Sequence, residues 1–173
     1  MRTQTGFSLI ELLIVVAIIL IIAAIAIPNL LHAKMAANES SAVGSLHALT
    51  TAEITYFTAY PTIGYANAIA QLGGAAPCTP STTTACIIDN LLATAIPGGS
   101  GKSGYYFLAT GSMGGGATYN TAYVVAGAPI LVNSTGKRDF CSANDGVLRS
   151  QSATAGDLPV NAVATCLVFA VAQ

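Results

Sequence analysis

An uninterrupted apolar run near the start of the chain limits most strongly what this sequence can fold into. Residues 7–27 read FSLIELLIVVAIILIIAAIAI and contain one charged side chain, Glu11. As an α-helix, a run of this length rises roughly 31 Å, which is enough to span the hydrocarbon core of a bilayer. Pro28 follows directly. We expect it to stop or kink the helix, because proline lacks a backbone donor and clashes with the preceding turn.

Two simple explanations of the apolar run are a secretory signal peptide and a plain membrane anchor. A signal peptide has a charged start, a shorter apolar stretch and a small-residue cleavage site. Here Arg2 is the only charge before a long run, and IAIPNLL is a poor cleavage site. A plain anchor fits the length but leaves Glu11 unexplained, since an ionisable residue inside a membrane segment is by default a functional candidate with a partner.

The sequence TGFSLIELLIVVAIILIIAAIAIPNL resembles the leader and N-terminal segment of type IV prepilins. In that family a short leader ends in glycine, the next residue becomes the mature N-terminus, and a glutamate occupies the fifth mature position. The matching residues are Gly6 before the scissile bond, Phe7 after it and Glu11 as the acid. The resemblance implies that a prepilin peptidase removes residues 1–6 and that Phe7 is N-methylated.

The resemblance also implies a role for Glu11 in assembly. Cleavage would leave a cationic amine at Phe7, and the carboxylate of one subunit would meet the amine of its neighbour when the helices pack. Removing one partner of a buried ion pair costs about 3–5 kcal/mol, so the pair would fix the register between subunits. Many relatives carry a glycine midway between the glutamate and the proline, where this chain has Leu20. Local unwinding of the helix is therefore less expected here.

The same resemblance implies where the protein resides and what it contacts. The subunit would wait in the bacterial inner membrane and then enter an extracellular pilus on the cell surface. Its partners would be further copies of itself in a helical homopolymer, the prepilin peptidase, and the pilus assembly platform with its ATPase. Adhesion, twitching motility and DNA uptake are the implied uses of such a filament.

This interpretation divides the chain into four segments. Residues 1–6 are the leader, 7–27 the transmembrane and filament-core helix, 28–59 the amphipathic second half of that helix, and 60–173 a β-rich head with a disulfide-bounded C-terminal region. The expected fold class is α+β, the pilin fold. One long helix, from about residue 8 to residue 59, would protrude with its apolar half and pack its second half on a small antiparallel sheet of four strands.

The second half of the predicted helix is amphipathic. Apolar side chains recur at roughly helical spacing and are expected to face the sheet: Leu30, Leu31, Met35, Val43, Leu46, Leu49, Ile54 and Phe57. Lys34, Glu39 and Glu53 lie between them. We expect these three charged residues on the polar face of the helix.

The head alternates short regular elements with turn residues. Short helices are predicted within residues 60–74 and 87–96, and strands within 104–111, 117–129 and 137–150, because aromatic and β-branched residues there are separated by glycine-rich turns. Asn144-Asp-Gly is a turn signal inside the last of these stretches. Residues 161–173 are expected to form a buried strand or an extended segment that Cys166 fixes in place.

The four cysteines, Cys78, Cys86, Cys141 and Cys166, all lie in the head. Four cysteines allow three pairings. Local closure favours Cys78 with Cys86, which leaves Cys141 with Cys166, and the other pairings stay open. If the N-terminal run directs the chain to the membrane, disulfides in an oxidising compartment are the better interpretation. The chain has no CxxC spacing, so a zinc site has little support.

No catalytic residue, metal site or cofactor is predicted. The stretch PGGSGKSG lacks the first P-loop glycine and the strand–loop–helix context, and is interpreted as a flexible connection. His32 and His47 are interpreted as solvated helix residues. The acids outside the helix are interpreted as turn formers, namely Asp89, Asp139, Asp145 and Asp157. With 8% charged residues and a net charge of −1, the chain offers no electrostatic reason to bind nucleic acid.

Three classes of function remain. A structural subunit, the major pilin of a type IV pilus, is favoured by the N-terminal residues. A pseudopilin of a type II secretion system or a low-abundance minor pilin shares the same N-terminal chemistry. A membrane-tethered binding module is less favoured, because Lys102, Lys137, Arg138 and Arg149 are too few for a basic track.

Overall fold

The computed structural model describes residues 6–172, and it begins with one long helix, α1, at Leu9–Ala59. The predicted helix is confirmed in both extent and position. The helix passes through Pro28 without ending, so of the two expected effects of the proline the stop is wrong, and the kink stays a prediction. Next to the proline, the side-chain amide of Asn29 donates a hydrogen bond of 3.1 Å to the carbonyl of Ile25.

The chain divides into two compact units, one ending at Lys34 and the other beginning at Met35. In the N-terminal unit the apolar side chains of the helix are almost all exposed to solvent. By length and composition this part of α1 is long and apolar enough to cross a membrane. Exposing such a surface to water is unfavourable, so lipid or other protein must cover it.

In the second unit, which we call the head unit, α1 buries one face. The buried side chains follow one another at steps of three or four residues along much of that face, namely Met35, Ala42, Ser45, Leu46, Leu49, Ala52, Glu53 and Tyr56. Ile54 was expected on this face but is 53% exposed, because it lies one position away from the buried row. Leu30 and Leu31 were also expected to face the sheet, which is wrong, because they belong to the N-terminal unit and are 69% and 54% exposed. Glu53 was expected on the polar face and is instead fully buried, because it lies in that row between Leu49 and Tyr56.

A five-stranded antiparallel sheet packs in the head unit, which confirms the α+β class and corrects the expected count of four strands. The strands follow the chain in the order β1-β2-β3-β4-β5. They are β1 Tyr105–Ser112, β2 Ala122–Pro129, β3 Arg138–Ala143, β4 Leu148–Ser152 and β5 Ala170–Val171. The extra strand is only two residues long and pairs Val171 with Arg149, so it leaves no periodicity in the sequence.

Three short helices complete the head unit: α2 Ile69–Leu72, α3 Asn90–Ala93 and α4 Val163–Leu167. The first two confirm the predicted short helices. Asp89 caps α3, accepting a hydrogen bond from the Leu92 N–H at 3.1 Å. The C-terminal segment differs from the expected buried strand, because it forms α4 and then the exposed β5.

Two loop expectations are also resolved. The turn at Gly146 is confirmed: its φ is 71°, and its N–H donates to the Ala143 carbonyl at 2.9 Å. Residues 97–104 were expected to form a flexible connection. This expectation is wrong, because two residues of the stretch are hydrogen-bonded to α1. Ser41 Oγ donates to Ser103 Oγ at 2.9 Å, and Lys102 Nζ donates to Ser45 Oγ at 3.3 Å.

Both faces of the sheet are covered. Aromatic and apolar side chains on one face join the buried face of α1 in a single core cluster that includes Tyr105, Phe107, Tyr123, Val125 and Phe140. A smaller cluster contains Val124, Ala126, Cys141, Cys166 and Phe169. Strand β2 is therefore buried along nearly its whole length. Asp139 of β3 is 5% exposed, so it is a buried strand residue and not the turn former that was expected.

Candidate functional site

The peptide bond between Gly6 and Phe7 lies outside the helix. Residues 6–8 have no regular structure, and α1 begins at Leu9. The Phe7 side chain is 87% exposed, and a Cβ added at Gly6 would meet no atom of residues 6–172 within 4 Å. The described part of the chain therefore leaves space beside this bond. The leader residues 1–5 lie outside the described part of the chain.

Glu11 is bonded to its own helix start. Its Oε2 accepts a hydrogen bond from the backbone N–H of Ser8 at 2.9 Å, and the Ser8 carbonyl accepts one from the Leu12 N–H at 3.3 Å. Ser8 thus occupies the position of an N-cap, and the Glu11 contact is the carboxylate half of a capping box. The sequence analysis missed this contact, although Ser8-Leu-Ile-Glu11 is the S-x-x-E pattern typical of such a box.

The charge of Glu11 remains available to a partner. Within residues 6–172 the salt bridges join Arg138 to Glu39 and Arg149 to Asp145, so no basic side chain there pairs with Glu11. Negative charge in the first turn is favourable beside the helix macrodipole. The arrangement holds a carboxylate near the exposed Phe7, four residues from it in the sequence.

Two disulfides stabilise the head unit, joining Cys78 to Cys86 and Cys141 to Cys166. The first closes a short loop beside α2, where the Ala85 N–H donates to the Gln71 carbonyl at 2.7 Å. The second connects β3 to α4, and both of its cysteines are fully buried. This is the arrangement that local closure favours.

Glu39 fastens α1 to the start of β3. Its Oε2 lies 2.8 Å from Arg138 Nη2 and 3.0 Å from Nε, and its Oε1 accepts from the Lys137 N–H at 2.8 Å. One residue earlier, the Asn38 amide donates to the Thr135 carbonyl at 2.9 Å. The sequence analysis missed this clamp, and no local pattern could have revealed it, because the partners are 97–99 residues apart.

Glu53 is a second acid that the sequence analysis did not place correctly. Its Oε2 accepts a hydrogen bond from the Ala66 N–H at 2.8 Å, while its buried Oε1 has no partner among the described residues. Burial raises the pKa of Glu53 to about 8, against the smaller opposing effect of the Ala66 hydrogen bond. The side chain is therefore mostly neutral at pH 7 and serves the core rather than the surface.

Comparison with known protein families decides how the N-terminal geometry is interpreted. Residues 1–27 match the family model described as the prokaryotic N-terminal methylation motif. This chain therefore carries the sequence motif of that family model at its N-terminus. The matched residues include Gly6, Phe7 and Glu11.

Three relatives share part of their sequence with this chain. The type IV major pilin protein PilA of Myxococcus xanthus is 53% identical over 53 residues, 31% of this chain and 24% of the relative. The type IV wide pilus major component PilA4 of Thermus thermophilus is 62% identical over 40 residues, 23% and 30% of the two chains. Type II secretion system core protein G of Vibrio cholerae is 43% identical over 65 residues, which are 36% of this chain and 44% of the relative.

These matches are partial. The chain spans from 24% to 44% of the length of these relatives. No solved structure matches the chain with comparable significance. The match to the family model is confined to residues 1–27.

Proposed function

We propose that this protein is the major pilin of a bacterial type IV pilus, a structural subunit without enzymatic activity. The observation that carries the proposal is the combination of a pilin-type N-terminus with a helix whose apolar side chains are exposed. A subunit with this surface needs lipid before assembly and other copies of the same helix after it. Two relatives whose names describe them as major components of type IV pili support the same function.

Maturation follows from the N-terminal geometry. The prepilin peptidase cuts between Gly6 and Phe7, which removes residues 1–6 and frees the amine of Phe7 for N-methylation. Residues 7–27 hold the subunit in the inner membrane and then form the filament core. Residues 28–59 continue the helix, and residues 60–173 form the head that faces the surroundings of the pilus.

Assembly depends on the charge of Glu11. Moving an apolar helix from lipid into a helical bundle exchanges one apolar environment for another, so little hydrophobic driving force favours a particular register. An ion pair between Glu11 and the Phe7 amine of a neighbour supplies that register, because a mispaired subunit buries an unpaired charge. Partners outside the polymer are the peptidase and the assembly platform with its ATPase. The filament then serves adhesion, twitching motility or DNA uptake.

A type II secretion pseudopilin is the second candidate, and the protein G relative favours it. It aligns over 65 residues, more than either pilus protein. Both candidates use the same cleavage and the same acid. They differ in the product, because a pilin forms long surface fibres and a pseudopilin forms a short periplasmic assembly.

Electron microscopy of fibres sheared from cells, with mass spectrometry of their main component, tests the proposal. We expect long fibres whose principal chain starts at N-methylated Phe7, and no such fibres from cells that lack the gene. Fibres that persist without the gene, or mature protein confined to the periplasm and inner membrane, would contradict the major-pilin function. The second outcome would favour the pseudopilin.

A further inference from the structure

Two tripeptides of the chain match the acceptor pattern for N-linked glycosylation, which is Asn-x-Ser or Asn-x-Thr with x other than proline. One is Asn38-Glu39-Ser40, in the part of α1 that belongs to the head unit. The other is Asn133-Ser134-Thr135, in the connection between β2 and β3, residues 130–137, which we call the β2–β3 loop. So short a pattern also occurs by chance, and the structure decides whether either asparagine can carry a sugar.

The side chain of Asn38 is already engaged. Its Nδ2, the atom to which a sugar would be joined, donates a hydrogen bond of 2.9 Å to the Thr135 carbonyl. The same nitrogen lies in close-packed surroundings, because a Cβ added at Gly104 would be only 3.0 Å from it. A sugar on this atom would prevent the contact that joins α1 to the β2–β3 loop. Asn38 is therefore unsuited to modification.

Asn133 is presented in the opposite way. It is exposed and lies in a tight turn, with a φ of 61°, a left-handed conformation in which asparagine is enriched. Its N–H donates to the Gly136 carbonyl at 2.8 Å, and the Thr135 N–H donates to the Leu131 carbonyl at 2.8 Å. Backbone hydrogen bonds thus close the turn, and they leave the side chain of Asn133 accessible from solvent.

The hydroxyl that completes the second pattern belongs to Thr135. Its Oγ1 accepts a hydrogen bond from the Leu131 N–H at 3.0 Å and donates to the Leu131 carbonyl at 3.1 Å. The Thr135 carbonyl is the one that accepts from Asn38. The two patterns are therefore in contact, and the asparagine of the first fastens the loop that presents the asparagine of the second.

We propose that Asn133 is an N-glycosylation site of the head and that Asn38 stays unmodified. The sugar donor is, by chemical class, an oligosaccharide joined through a pyrophosphate to a membrane lipid. Asn133 Nδ2 forms a bond to the anomeric carbon while the bond from that carbon to the pyrophosphate oxygen breaks. The lipid pyrophosphate leaves with the electron pair, and the amide loses one proton. No group is oxidised or reduced.

The compartment fits this chemistry. Two disulfides in the head are typical of a domain that folds outside the cytoplasm, where a lipid-linked donor can reach the β2–β3 loop. The inference rests on the export of the head that the proposed function requires. Beside Asn133, Leu131 is 60% exposed, and only 8% of the residues of the chain are charged. A bulky, hydrated sugar would cover this part of the loop and raise the solubility of the head.

Intact-mass analysis and glycopeptide mapping of the protein from its own host test the site. The protein is taken from the membrane pool as well as from sheared fibres. We expect most chains to be heavier than the polypeptide, with the sugar on the peptide that contains Asn133. Treatment with peptide-N-glycosidase should release the sugar and convert Asn133 to aspartate, while Asn38 stays asparagine.

Four variants locate the modification. Asn133→Gly should lose the added mass and keep the turn, because glycine adopts a φ of 61° without strain. Thr135→Ala should also lose it, whereas Thr135→Ser keeps the hydroxyl and should keep the sugar. Ser134→Ala is the matched control, since it changes an exposed residue of the same turn and leaves the pattern intact. Circular dichroism checks that each variant folds, and glycopeptide mapping of the wild type decides the site if one does not.

Three results would overturn the proposal. One is wild-type protein whose mass is that of the mature polypeptide alone. Another is added mass that persists in Asn133→Gly, which would place the modification elsewhere. The third is added mass that is lost in Ser134→Ala and retained in Thr135→Ala, which would place the sugar on the Ser134 hydroxyl. Glycosylated Asn133 in cells without fibres would contradict the proposed function alone, and fibres of unglycosylated protein would contradict this inference alone.

Discussion

The carboxylate of Glu11 accepts a hydrogen bond of 2.9 Å from the backbone N–H of Ser8, three residues before it. The acid for which we propose a role in assembly therefore already bonds to the start of its own helix. This contact orients one oxygen toward the chain end, while the net charge stays available to a partner. The same side chain can thus cap the helix in the membrane and pair with a neighbouring amine in the filament.

Glu11→Gln should separate these two roles. The glutamine can still accept the Ser8 N–H, so the subunit should be cleaved and accumulate in the membrane as the wild type does. The charge that pairs with the neighbouring amine is lost, so we expect at least a tenfold reduction in sheared pili, measured by immunoblotting against the total cellular pool. Lys34→Gln, which removes another exposed charge from α1, should assemble normally. Wild-type amounts of pili from Glu11→Gln cells would contradict the register role.

Changing Gly6 to valine should leave the leader attached. A Cβ at this position meets no atom of residues 6–172 within 4 Å, so we expect the effect to arise in the peptidase site and not from misfolding. Intact-mass analysis of membrane protein should find the full-length precursor, and no pili should form. Recovery of a mature Phe7 terminus at wild-type yield would refute the assignment of the cleavage bond.

The two disulfides should contribute unequally to stability. In the chain-entropy model, a disulfide that closes a longer loop removes more entropy from the unfolded chain. The separations are 25 residues for Cys141–Cys166 and 8 for Cys78–Cys86. We expect replacement of both Cys141 and Cys166 by serine to lower the free energy of unfolding by about 2–5 kcal/mol, about 1 kcal/mol more than the other pair. Denaturant titration of both variants measures the difference. A non-reducing peptide map that finds Cys141 free would contradict the prediction, because this disulfide would then be absent.

Glu53 should make the stability of the head pH-dependent. Its pKa is about 8 in the folded chain and close to the ordinary 4.5 when unfolded, so above pH 4.5 the unfolded chain releases a proton that the folded chain keeps. The free energy of unfolding should therefore fall as the pH rises from 4.5 to 8, by about 3–5 kcal/mol, and then level off.

Glu53→Gln should remove most of this slope, because the amide can accept the Ala66 N–H without carrying charge. The measurement is denaturant unfolding at several pH values, followed by near-ultraviolet circular dichroism of the buried tyrosines. Glu11→Gln, which changes an exposed acid of the same helix, should keep the wild-type slope. A slope that is equal in Glu53→Gln and the wild type would show that other groups cause it.

The features that the sequence predicted are those with local signals. The apolar run and the spacing of Leu46 and Leu49 indicate α1, and alternation of aromatic and β-branched residues indicates β1 and β2. The capping pattern of Ser8 and Glu11 is equally local, although it was not among the predictions. These elements depend on neighbours within a few residues.

The features that the sequence did not predict depend on distant partners. The sequence around Glu53 is that of a solvated helix acid, and its burial depends on folding, which places the Ala66 N–H beside it. Glu39 bonds α1 to β3 only because folding places Arg138 next to it. Aspartate is a residue type that is common in turns, but pairing with β4 places Asp139 inside the sheet. In each case the environment that decides the chemistry forms only on folding.

The central claim is the contact between Glu11 of one subunit and the Phe7 amine of another, and solid-state NMR of mixed-labelled filaments tests it most directly. Half of the subunits would carry ¹⁵N at the Phe7 amine and the other half ¹³C at the Glu11 carboxylate. Ion-pair contact places nitrogen and carboxylate oxygen within about 4 Å, so we expect magnetisation transfer between the two labels. Transfer seen only when both labels are on the same subunit would contradict the account.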